Sequence, residues 1–243
     1  MTTEALARPR RDSYLLSAIL TLWSSSIGKK VVMALTGSIL VGFVVVHMYG
    51  SLKIFKGEAV FNEYAQWLRE VGAPFLAHGL ALWISRLVLL GAVSLHMLAA
   101  WQLTRKSWSA RPAGYEEKQS LESTFASRTM RWGGVVIALF VVYHVLHFTV
   151  GAVGYAAGQF VPGSVYRNVV RGFSVWYVSA FYITAQAFLG LHLYHGIWSI
   201  LHTLGVVTAW GDRAYRFAGA LIALAVVLGN ISVPVAVLAG LVK

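Results

Sequence analysis

The chain has 243 residues; 58% are hydrophobic and 12% charged, the latter about half the share in an ordinary soluble domain. A mean hydropathy of +0.66 excludes a disordered chain, a nucleic-acid-binding domain and most cytosolic enzymes, and it points to an integral membrane protein. Cysteine is absent and the net charge is +11, so there is no disulfide framework, no cysteine-held cluster and no thiol nucleophile.

The chain opens with a basic tail. Residues 12–27 then read as a short amphipathic helix lying on the membrane surface, anchored by Tyr14 and Trp23. Five runs follow that are long enough to cross a hydrocarbon core: residues 31–52, 74–103, 132–153, 175–207 and 217–242. The expected fold is all-α, a single-domain bundle of five transmembrane helices spanning residues 1–243, with 1–30 as its tail. The connecting segments carry the charge. Arg8, Arg10, Arg11, Lys29, Lys30, Arg105, Lys106, Arg111, Lys118, Arg128, Arg131, Arg213 and Arg216 fall on one side. Only Lys53, Lys56, Arg69, Arg167, Arg171 and Lys243 fall on the other. Positive loops stay inside, so the N-terminus is expected in the cytoplasm and the C-terminus outside. Once topology accounts for these charges, no basic face remains for nucleic acid.

Eight histidines are the main candidate ligands. Ionisable groups inside a bilayer are costly and mark function, although a lone histidine can equally bond a neighbouring carbonyl. His47 lies in the first run, His78 and His96 in the second, His144 and His147 in the third, and His192, His195 and His202 in the fourth. With the N-terminus inside, His47 stands about 24 Å from the cytoplasmic end of its span, His144 and His147 about 18–24 Å, and His96 about 12 Å. That makes two levels with a pair of histidines available at each. Bis-histidine ligation of a flat macrocycle in a bundle core has this requirement, so the pattern predicts two haems. Zinc fits less well, because it prefers four converging ligands and every acidic residue lies in a tail or loop by this reading. The lack of an intramembrane carboxylate also weakens a proton-pump reading. Gly37, Gly42, Gly91, Gly133, Gly134 and Gly190 are candidates for ring contact, or for ordinary helix packing. Arg86 sits deep in the second run with no acidic neighbour. It fits a haem propionate or snorkels to the outer surface.

"SSSIGKKVVMALTG" and "FVVVHMYGSLKIF" in the first span, "SRLVLLGAVSLHMLAAWQL" in the second, "YHVLHFT" in the third and "LHLYHGIWSILHTLGV" in the fourth resemble one family. It is the single-chain cytochrome b membrane anchor of respiratory complex II, from succinate:menaquinone oxidoreductases (succinate dehydrogenases) and fumarate reductases. The resemblance covers nearly the whole chain. It implies a five-helix anchor with two b haems in a prokaryotic cytoplasmic membrane. Carried over by position, His47 and His144 hold the outer, distal haem, and His96 and His192 the inner, proximal one. His147 and His195, three residues further on, share roughly the same faces and are alternative ligands; they and His202 otherwise bond propionates or line a quinone pocket. His78, near the outer surface, is not expected to ligate.

The resemblance also implies a flavoprotein and an iron–sulfur subunit docked on the cytoplasmic side, against the tail and the 104–131 loop. This chain has neither cysteines nor a dinucleotide-binding glycine motif. Its implied part is to anchor them and pass electrons to menaquinone or another quinone. Glu58, Glu63, Glu70, Tyr64, His78 and Trp83 are available for a quinone at the outer edge. Ser24, Ser25, Lys29, Lys30, Trp101, Ser107, Trp108, His202 and Trp210 are available at the inner edge. Other readings are a different dihaem quinone-reactive cytochrome, or a haem-free anchor with structural histidines.

Overall fold

The computed structural model describes residues 17, 20–110, 125–206 and 211–243. Residues 12–16, 18 and 19 of the surface helix expected over residues 12–27 lie outside them, Tyr14 included, as do Trp210 and the middle of the 104–131 loop. Residues 20–24 are helical and the chain bends at Ser25. The described residues are all-α with no strand.

Helix α1 spans Ser26–Ser51, and a 3-10 turn extends it over Leu52–Lys56. Ser25 Oγ accepts from Gly28 N at 2.8 Å, which satisfies one of the donors a helix start leaves open. Gly57, at φ 94°, ends the turn, a conformation glycine adopts without steric cost. Helices α2 (Glu58–Glu70), α3 (Leu80–Ser109) and α4 (Phe125–His144) follow. α4 widens to a π turn over Val145–Val150. Helix α5 spans Val165–Ser174, α6 Trp176–Thr203 and α7 Asp212–Leu238. Four segments (Ser26–Lys56, Leu80–Ser109, Thr129–Val150 and α7) are long and apolar enough to cross a membrane. α6 reaches that standard together with α5, from which it bends by 96°.

Helices therefore stand over all five expected runs, with shifted ends; four qualify as spans alone, and the fourth run only together with α5. The second begins at Leu80 rather than residue 74 and runs on to Ser109; the segment before it holds Pro74, whose ring fixes φ and removes a donor, and a left-handed Gly79. The fourth stops at Thr203. The last starts at Asp212, so this carboxylate belongs to a helix end rather than a loop. Glu58, Glu63 and Glu70 likewise lie on α2, a helix inside an expected loop.

α2 and α5 pack together across the end of the bundle away from the N-terminus. Phe61 meets Tyr166 with ring centroids 6.4 Å apart, and Arg167 Nε pairs with Glu58 at 2.8 Å. Asn62 Oδ1 accepts from Tyr166 N at 3.0 Å. Ser164 makes no capping bond, so a side chain 104 residues away satisfies the start of α5. A core of Ile54, Phe61, Phe140, Tyr166, Phe173, Tyr182 and Val237 lies beneath.

Among the spans, α7 packs mainly on α6 and also on α1, while α3 packs on α1 and α4 on α6. Glycines set the closest approaches: a Cβ on Gly190 would stand 2.6 Å from Val227, and one on Gly229 2.4 Å from Met48 Sδ. Small residues let membrane helices approach where lipid supplies no hydrophobic drive. Replacing Asn62 with leucine is expected to leave the α5 amide unpaired and to lower stability by about 1 kcal/mol. Faster hydrogen exchange at the start of α5 than in the parent protein is the measurement.

Candidate functional site

α1 and α4 do not pack closely on each other, and neither do α3 and α6. Across those two gaps the histidines meet. His47 on α1 faces His144 on α4 with ring centroids 5.7 Å apart. His96 on α3 faces His192 on α6 at 6.2 Å. Two metal–imidazole bonds of about 2 Å, back to back, set ring centroids roughly 6 Å apart.

The two pairs stand at different heights. His96 neighbours Thr36 on α1, eleven residues before His47, about 16 Å along the axis. His144 neighbours Tyr182 on α6, ten residues before His192, about 15 Å. Two helices thus yield the same spacing.

His96 Nδ1 donates to the Met33 carbonyl at 3.2 Å and lies 3.3 Å from Thr36 Oγ1. A carbonyl only accepts, so Nδ1 carries the proton and the Nε2 lone pair is left for a metal. Thr36 Oγ1 donates to Val32 O at 2.7 Å. His192 Nδ1 is buried and has no hydrogen-bond partner.

The surplus histidines go elsewhere. His147 is 0% exposed. It stacks on Phe148 at 4.0 Å between centroids, and its Nδ1 lies 2.9 Å from Tyr182 Oη. Its Nε2 has no partner and is closed in by backbone, since a Cβ on Gly154 or Gly172 would stand 2.6 Å from it. The π turn follows His144 directly; both rings reach Tyr182, but His144 also faces His47, whereas His147 packs among Phe148, Tyr155 and Phe173. His195 contacts Trp198 at 5.8 Å. His202 Nε2 pairs with Asp212 Oδ1 at 2.9 Å, and Trp198 Nε1 and Arg216 Nε donate to the same carboxylate at 2.7 and 2.8 Å. This clamp ties the ends of α6 and α7 together. Arg86 is exposed, with its guanidinium 4.8 Å from the Trp83 ring centroid. His78 pairs with Glu70 at 2.7 Å on the surface. Of the outer-edge polar residues, Tyr64 packs over Gly50 with Lys53 4.9 Å above its ring.

The glycines divide in the same way. Gly37 faces His96, where a Cβ would stand 3.4 Å from Cε1, and Gly134 faces His192 at 3.9 Å. Gly42 and Gly91 have nothing within 4 Å of that position, so their backbone borders open space. Gly190 belongs to the α6–α7 contact. Thr129, Met130, Gly133, Phe188, Leu191 and His192 surround a narrow crevice beside the second pair that has no room for a water molecule.

Tyr182 is the residue that sequence reasoning missed. Its Oη reaches both His147 and His144 Nδ1, the latter at 3.4 Å. Among the described residues no three His, Cys, Asp or Glu side chains converge as a metal site, so the arrangement is two facing pairs. Comparison with family models, curated proteins and solved structures finds no match.

Gly172→Ala is expected to push a methyl group into His147 and lower stability by about 1–3 kcal/mol through overpacking. Gly133→Ala, whose Cβ would meet Phe188 at an ordinary 3.6 Å, is expected to change little. Unfolding midpoints in detergent compare the two.

Proposed function

We propose that this chain is the dihaem membrane anchor of a succinate:quinone oxidoreductase, multi-pass in a prokaryotic cytoplasmic membrane. The observation that carries the proposal is the pair of facing histidine couples, at two heights, between helices that do not pack on each other. His47 and His144 hold the outer haem b, and His96 and His192 the inner one. The residues fit such a group. The Met33 carbonyl holds His96 in the ligating tautomer. His192 keeps a buried, unpartnered ring nitrogen, and Gly37 and Gly134 stand beside His96 and His192 with no side chain to crowd them.

Bound haem supplies one-electron transfer, and the protein tunes it through axial ligand, burial and hydrogen bonding. The two histidine couples that would hold such centres stand about 15 Å apart along the bundle. The excess of lysine and arginine puts the N-terminus and the His96–His192 level on the cytoplasmic side. There, flavoprotein and iron–sulfur subunits dock and deliver electrons. A quinone, menaquinone by the family resemblance, accepts them at the membrane.

The purified complex is expected to show a b-type α-band in the dithionite-reduced minus oxidised spectrum, with two haems per chain. His47→Ala and His96→Ala are each expected to remove one haem. Retention of both in either variant refutes the pairing, and a folded complex without the band refutes the haem reading. Covalent flavin and succinate-dependent quinone reduction in the same complex test the assignment to complex II. Gly37→Leu is expected to displace His96 and remove the inner haem, while Gly37→Ala, in ordinary contact at 3.4 Å, keeps it.

A further inference from the structure

Tyr182 lies buried on α6, with its hydroxyl 2.9 Å from His147 Nδ1 and 3.4 Å from His144 Nδ1. A tyrosine hydroxyl has one proton to give, so it can donate to only one of these nitrogens. Ligation through His144 Nε2, as in the proposed function, decides which. A ligating imidazole with a free lone pair at Nε2 carries its proton on Nδ1. His144 Nδ1–H then donates to Tyr182 Oη, and the Tyr182 hydroxyl donates to His147 Nδ1. His147 is left with its proton on Nε2, the nitrogen enclosed by Gly154 and Gly172 without a partner. An unsatisfied buried group is costly and needs a reason; here it keeps the neighbouring Nδ1 as an acceptor.

We propose that Tyr182 is the positioning residue of the outer haem ligand His144, and that His147 is the acceptor that fixes the direction of the Tyr182 hydroxyl. This rests on the dihaem reading. Accepting from Nδ1–H raises the basicity of a ligating imidazole, which favours the oxidised iron. Removing the acceptor raises the midpoint potential of that centre alone.

The test uses the full chain, purified with the subunits that accompany it, and redox titration of both haem signals. Tyr182→Phe is expected to retain two haems and to raise one midpoint potential, by about tenfold in the reduced-to-oxidised ratio, about 59 mV for one electron. The other potential stays in place. Two unmoved potentials, or an equal shift of both, overturn the inference. Should Tyr182→Phe fail to accumulate, His147 carries the test. His147→Asn, whose amide oxygen can stand where Nδ1 was, leaves the potential unchanged, whereas His147→Leu raises it. Identical behaviour of these two overturns the inference. Absence of haem from the parent protein overturns the dihaem reading itself, an outcome distinct from two haems with unmoved potentials.

Discussion

A histidine inside hydrocarbon must place both ring nitrogens within the protein, because no water is there to take them. Among the four histidines of the facing pairs, two have a partner for Nδ1 within the chain and two do not. His96 gives its proton to the Met33 carbonyl. His144 has the Tyr182 hydroxyl beside it. For His192, Nδ1 is buried without a partner. His47 keeps an exposed ring surface in the gap between α1 and α4. The bundle is arranged around these needs, so that the helices carrying each pair stand opposite one another and leave the packing to their neighbours.

Something must hold such gaps open, and the tight contacts lie outside them. α7 seats its small residues against α1 and α6, with Gly229 under Met48 and α6 Gly190 against Val227. The Asp212 clamp fastens one end of α6 to α7. At the other end α2 and α5 close over an aromatic core. In a membrane, association without hydrophobic drive depends on close packing and interhelical hydrogen bonds. The Asn230 Nδ2 bond to Gln186 Oε1, 3.0 Å across the same α6–α7 interface, is one of them. α3 packs chiefly on α1 and stands away from α6.

The long apolar helices were legible because an apolar run of the right length has few other readings. The levels of the histidines were legible because helical rise is constant. α2 and α5 were not, since 13 and 10 residues of mixed polarity look like loop in a chain this hydrophobic. The division between His144 and His147 was beyond periodicity, which assumes a regular helix, whereas the chain widens immediately after His144. Nor does sequence separate glycines that touch a neighbouring helix, such as Gly190, from those that border open space, such as Gly42. Both sit in the same kind of apolar run. Tyr182 reads as one more aromatic until its hydroxyl is placed between two imidazoles.

The two levels carry the same axial residue type, yet they are chemically unequal. A backbone carbonyl beside His96 can only accept, so the tautomer there is fixed by the main chain, and no side-chain substitution removes that partner. A tyrosine hydroxyl beside His144 both donates and accepts, so the tautomer there depends on what stands behind it, and that is His147. In the dihaem reading, the inner ligand is therefore oriented by local backbone. The outer ligand is oriented by a chain of two side chains from two other places in the sequence. This difference gives His147 a reason to be enclosed as completely as it is. A hydrogen-bond donor that reached its Nε2 would shift the proton to Nδ1 and reverse the Tyr182 hydroxyl. Gly154 and Gly172 hold their backbone against that nitrogen and keep such a group out.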